Sequence, residues 1–155
     1  MLLDKEFTQL ESYIPQMDLS SAGVSKVAVG WHLDHMLRVI KTTCTSLKTS
    51  NPEDYHWQPN STRSYVLAEG SFSRGVARAP KSVVATGEIL MPELYDQLKQ
   101  VKLLVSEIGS LHPESSFAHI YFGLINLEES QQFLEIHTRH HLKIIEDIIK
   151  AAESQ

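Results

Sequence analysis

Cysteine is almost missing from this chain: Cys44 is the only one in 155 residues. A single thiol excludes an intrachain disulfide framework and a cysteine-built zinc knuckle, so any metal ligands must be nitrogen or oxygen. Basic residues are also scarce, 14 against 19 acidic ones for a formal net charge of −5. That balance removes the general attraction for phosphate backbones and anionic lipid, and it argues against nucleic-acid or membrane partners. No apolar run is long enough to span a bilayer, and the opening MLLDKEFTQLESYIPQ carries acidic side chains where a secretory signal would be basic and then apolar. A cytoplasmic location is the expectation. With 42% apolar and 21% charged residues, the composition is that of an ordinary globular protein, and the length suits one domain over residues 1–155.

Apolar periodicity predicts helices. Phe7, Leu10 and Ile14 repeat at helical spacing in a first segment, Asp4 to Ile14, which Pro15 ends. A longer stripe of Val29, Leu33, Met36, Ile40, Thr43 and Leu47 predicts a second helix from about Val24 to Leu47, stopped by the turn formers Thr49-Ser50-Asn51-Pro52. From Pro52 to Gly87 neither period persists, and the stretch reads as a long crossover with a helical turn near Ser64 to Glu69. Pro92 suits the first turn of a third helix, in which Leu94, Leu98, Val101, Val105 and Ile108 repeat before Gly109. A fourth helix starts near Asn126, a suitable cap followed by Glu128 and Glu129 at the positive end of the dipole, and runs to about Ala151. The expected fold is all-α, an antiparallel four-helix bundle with a long crossover between helices 2 and 3.

Histidine is what the chain has in excess, eight in all. On the last helix Leu134, Ile144, Ile145 and Ile148 mark the buried stripe, and His137 and His141 continue it four residues apart. At a rotation of roughly 100° per residue the two lie about 40° apart and aim at one point, while His140 turns aside. Burying two imidazoles is costly unless their nitrogens find partners, and a divalent metal ion satisfies both. The third ligand has to come from another helix, and the second offers His32 and His35 within Trp31-His32-Leu33-Asp34-His35-Met36. Periodicity leaves both open and sets His32 slightly nearer the stripe centre.

The runs Phe133-Leu-Glu-Ile-His137-Thr-Arg-His140-His141 and Trp31-His32-Leu33-Asp34-His35-Met36 together resemble the DinB/YfiT-like superfamily. There, a histidine shortly after a tryptophan lies on the second helix and an HxxxH pair on the fourth. Phe117-Ala-His119-Ile-Tyr-Phe122-Gly123 and Ser73-Arg74-Gly75-Val-Ala-Arg78-Ala-Pro80-Lys81 are similar to segments of an uncharacterised bacterial branch, although Ile120 stands where proline often follows the histidine. The resemblance implies a four-helix bundle and a zinc or nickel site made by His35, His137 and His141, with His32 as the rival third ligand. It also implies a frequent homodimer and, from characterised members, transfer chemistry with a low-molecular-weight thiol.

Three neutral imidazoles leave an ion with open positions, the arrangement of catalytic sites, so thiol transfer and hydrolysis of a small-molecule substrate are both in reach. The competing reading is a non-catalytic metal-binding or partner-binding helical bundle. Arg63, Arg74, Arg78 and Lys81 give the crossover local positive charge, ordinarily that of a solvated loop; Arg74 and Arg78 are candidate clamps for a substrate anion. Trp31 is expected to pack or line the pocket. His56, His112 and His140 read as exposed polar residues, His119 as a turn residue near the pocket mouth, and Cys44 as a small core residue. Asp34 and Glu135 face away from the ligands, which removes them as general bases.

Overall fold

A computed structural model describes residues 1–154. Five helices carry most of the chain: α1 (Asp4–Tyr13), α2 (Val29–Thr49), α3 (Ser61–Glu69), α4 (Met91–Ile108) and α5 (Leu127–Glu153). Helix α2 packs against α4 and α5, and α1 touches both α4 and α5. The stripes expected from the sequence form the core: Leu33, Met36 and Ile40 of α2, Leu94 and Ile108 of α4, and Leu134, Ile145 and Ile148 of α5 are all sealed from solvent. Each such side chain contributes about 1.5–3 kcal/mol by leaving water. Among the described residues no helix is long and apolar enough to cross a membrane.

The chain is mostly helical, as expected, and two short strands add a small sheet that the all-α reading lacks. β1 (Ser116–His119) pairs antiparallel with β2 (Gly123–Asn126), His119 opposite Gly123. Gly123 has φ +72°, a left-handed conformation that costs little only without a Cβ, and it lets the chain reverse within three residues. The crossover is also more ordered than a single helical turn. Asn60 caps α3 by accepting the N–H of Arg63, and Gly70, at φ +70°, ends the helix.

Helix α2 begins at Val29, later than the Val24 that periodicity suggests. Its first N–H groups are met by the preceding loop: Val29 donates to the Leu19 carbonyl at 3.0 Å and Gly30 to that of Met17 at 2.8 Å. A Cβ at Gly30 would stand 3.1 Å from the Met17 oxygen, so a side chain here would have to push the loop back by a few tenths of an ångström. Helix α5 begins as expected: Asn126 and Glu129 form a reciprocal capping box that fixes where the histidine-bearing helix starts.

Candidate metal centre

The floor of the site lies where α2 faces α5. The fold brings His35, His137 and His141 together so that one nitrogen from each lies within 4.8 Å of the other two, close enough for all three to hold one metal ion. His35 and His141 are buried, whereas His137 keeps one edge open to a cavity of about 780 Å³ above the cluster.

A bond to a carbonyl fixes which nitrogen of His35 is free. His35 Nδ1 lies 2.9 Å from the carbonyl oxygen of Val83, which can only accept, so Nδ1 carries the proton and Nε2 presents a lone pair. That Nε2 lies 3.2 Å from His137 Nε2. His141 Nδ1 lies 2.9 Å from His32 Nδ1, and His32 Nε2 lies 2.9 Å from the Ser25 hydroxyl. Run from His141 through His32 to Ser25, this chain of bonds frees His141 Nε2 for an ion; run from Ser25 inward, it places a proton there. The structure thus gives His32 and His35 different places: His35 joins the cluster with His137, and His32 braces His141 from behind.

Burial holds these rings neutral. It pushes His137 and His141 well below the ordinary imidazole value, with neighbouring histidines adding to the effect, and lowers His32 to about 4. His35 is also lowered, chiefly by burial, against which its bond to Val83 works. Neutral imidazole is the form that ligates a metal. His137 Nδ1 is sealed with no hydrogen-bond partner among the described residues. The donor set fits a divalent cation: His35 and His137 turn Nε2 atoms toward each other at 3.2 Å, a spacing at which one ion could take both lone pairs together with a nitrogen of His141.

Trp31 stacks on His35 with ring centroids 4.9 Å apart and also lines the cavity, so packing and lining are one role. Arg74 and Arg78 both line the cavity, but Arg74 is held 2.7 Å from Asp147. Asp34 is engaged with Arg38 and Gln97, and Glu135 with Arg139, both outside the cluster. Cys44 is fully buried, away from the cavity lining, and burial pushes its thiol up to about 12.

Two expectations are corrected. His140 is not simply exposed; it is half-buried, lines the cavity, and sits edge-on to Phe72 at 5.8 Å. Arg63 is not a solvated loop residue: it is buried, 3.3 Å from Glu129, and donates to the carbonyls of Gln58 and Phe122. His119 is the expected turn residue, and it forms part of the cavity wall. Sequence reasoning missed Phe72, which reaches over the site to stack on Phe122 and stand edge-on to His137, and it missed the Val83 carbonyl. A backbone oxygen leaves no signature in a sequence, and a lone phenylalanine in an aperiodic stretch gives none either.

Compared with protein-family models, curated proteins and solved structures, the chain matches none. The geometry of the site therefore carries the functional argument.

Proposed function

We propose that this protein is a metal-dependent enzyme acting on a small molecule, with His35, His137 and His141 holding a divalent ion, zinc or nickel, at the floor of the cavity. The observation that carries this reading is the convergence of three buried or half-buried neutral imidazoles beneath a cavity of about 780 Å³. A sealed structural site would need no such space. When bound, such an ion lowers the pKa of a thiol or water and polarises an electrophile. The chain's residues supply the rest. Val83 and His32 orient two of the ligand rings, Trp31 and Phe72 exclude water, and Arg78 is placed to receive an anionic group.

A low-molecular-weight thiol as co-substrate follows from the DinB/YfiT-like resemblance, as does a four-helix-bundle description of the helices. The structure is compatible with an external thiol in one respect: Cys44 is too deeply buried, and its thiol too weakly acidic, to be the nucleophile.

Metal content by mass spectrometry on untagged protein tests the reading. Wild type is expected to carry about one divalent ion per chain. His35→Ala and His137→Ala should lose it, whereas His32→Ala should keep it with affinity lowered by about 10- to 100-fold, the usual cost of removing a residue that braces a ligand. Wild type that binds neither zinc nor nickel when offered both would end the metalloenzyme reading. Retention by His35→Ala with loss from His32→Ala would exchange the roles of those two residues. Thiol-transfer and hydrolytic assays on the loaded protein then separate an enzyme from a metal-binding bundle.

A further inference from the structure

In a chain of net charge −5, no aspartate or glutamate lines the cavity above the histidines. Its charged lining residues are Lys26, Arg74 and Arg78; Arg74 is paired with Asp147, while Lys26 and Arg78 have no carboxylate partner among the described residues. Most of the remaining wall is apolar or aromatic, with Phe72, Phe117, Phe133 and Ile144 prominent.

His119 stands in this wall in a fixed state. Its Nδ1 accepts two backbone N–H groups, those of Tyr121 and Phe122, each at 3.0 Å, which leaves that nitrogen no room for a proton. In the neutral ring the proton must then sit on Nε2. Burial lowers the group to about 4, so it is neutral at pH 7. Phe122 stacks on the ring at 4.0 Å and Phe133 meets it edge-on at 4.7 Å, which prevents it from turning. Nε2 has no protein partner among the described residues, so the result is a rigid N–H donor without an acceptor. Arg78 is held nearby, because the Tyr121 hydroxyl accepts from its N–H and donates to its carbonyl oxygen, both at 3.3 Å.

We propose that the cavity takes an organic oxyanion with an apolar body, a carboxylate or a phosphate monoester, whose oxygen accepts the His119 Nε2–H while Arg78 and Lys26 balance its charge. This deepens the reading of the cavity as a substrate pocket and does not require the ion. The fixed donor sets position and the cations set charge preference, so His119 is a specificity-determining residue.

The experiment is calorimetric titration with four probes that share one body: 4-phenylbutyrate, 4-phenylbutylphosphonate, 4-phenylbutyramide and 4-phenylbutylamine. Each is run on zinc-supplied and on chelator-treated protein, wild type and His119→Asn. Asparagine can still accept the turn N–H groups through its side-chain oxygen but has nothing at the Nε2 position. One or both oxyanions should bind wild type about tenfold or more tighter than the amide and amine, and His119→Asn should lose about tenfold for the oxyanions alone, the size of one hydrogen bond to a charged group. Which oxyanion binds better names the head group. A preference that appears only with zinc, an equal loss for all probes, or no binding of any probe would overturn the proposal. Should His119→Asn fail to fold, long-range ¹⁵N spectra of wild-type histidines still decide: an Nε2–H tautomer is expected for His119, and an Nδ1–H tautomer or a charged ring at pH 7 would refute it. Metal content is read separately, so failure of the ion site and failure of the anion site are distinct results.

Discussion

The floor and the roof of the cavity are built by different physics. The floor is two long helices, α2 and α5, whose apolar stripes bury each other and carry His32, His35, His137 and His141 inward as a consequence of helical repeat. The roof is the crossover and the hairpin, residues 50–126 apart from α4; it sends Val66, Val83, Phe122 and Ile125 into the core and is otherwise held by single contacts, several between residues far apart in sequence. Arg63 bonds Phe122, His35 bonds Val83, Tyr121 grips Arg78, and Phe72 stacks on Phe122. Burial spread over many side chains tolerates the loss of one. A roof with only four buried apolar side chains leans more on its few polar bonds, and the substrate contacts proposed here belong mostly to it.

The sharpest way to break this contrast is Arg63→Ala. The guanidinium is buried, lies 3.3 Å from Glu129, and has the Trp57 ring 5.4 Å away. Its removal strands Glu129, which is partly screened by water, together with two carbonyls, and should cost about 3 kcal/mol in urea unfolding. Leu33→Ala on the floor removes a fully buried side chain and should cost a similar amount, about 2–5 kcal/mol. The two differ in what else is lost: Arg63→Ala should raise proteolysis within residues 50–90 in native buffer, and Leu33→Ala should not. An Arg63→Ala variant within 1 kcal/mol of wild type, by roughly the error of such measurements, would mean that the roof does not hang from that residue.

The same contrast explains what could be read from the sequence. His137 and His141 were legible because an i, i+4 pair on an apolar stripe has one direction to face. His32 and His35 were not separable that way, since both rings are buried, each 4% exposed, and both continue the stripe. What distinguishes them in the structure is the Val83 carbonyl, 48 residues further along, and that depends on how the crossover folds. The hairpin was missed because its strands have four residues each, too short for alternation to register, and the loop Ile120-Tyr121-Phe122 lacks the usual turn formers. Nothing local in the sequence marks Arg63 or His140 as buried, for a related reason. Their burial is supplied by residues distant in sequence, Glu129 for one and Phe72 for the other.

Acid should weigh more on the floor, where four depressed imidazoles cluster, than on the roof, where His119 is one. Folding depresses His32 to about 4 and holds His35, His137 and His141 lower than in the unfolded chain, where imidazoles titrate near 6.5. Below 6.5 the unfolded chain therefore binds more protons than the folded one, and stability falls as pH drops toward the folded values. Above 6.5 the contribution is constant. Each full unit of depression corresponds to about 1.4 kcal/mol, although coupled rings share rather than add these amounts. Urea titrations of chelated protein between pH 7.5 and 4.5 should show a monotonic loss, smaller in His137→Phe, which has one fewer imidazole to charge. Stability that stays flat over this range would show the floor histidines to be hydrated, contrary to their burial.

The smallest expected effect tests the roof most locally. Tyr121→Phe deletes only the hydroxyl that both accepts from and donates to the Arg78 backbone, and both residues are exposed, so water can replace the lost partners. Global stability should change by less than about 1 kcal/mol. Hydrogen exchange at the Arg78 amide should nevertheless accelerate, because a local opening no longer has to break that bond, while amides in α2 and α5 stay unchanged. If the anion site is assembled as proposed, oxyanion affinity should fall a few-fold, and the affinity of the neutral amide probe should not. A Tyr121→Phe variant whose α2 and α5 amides also exchange faster would show that the hairpin clamp stabilises the helices beneath it. Floor and roof would then open as one unit, and the cavity could not admit a ligand by moving the crossover alone.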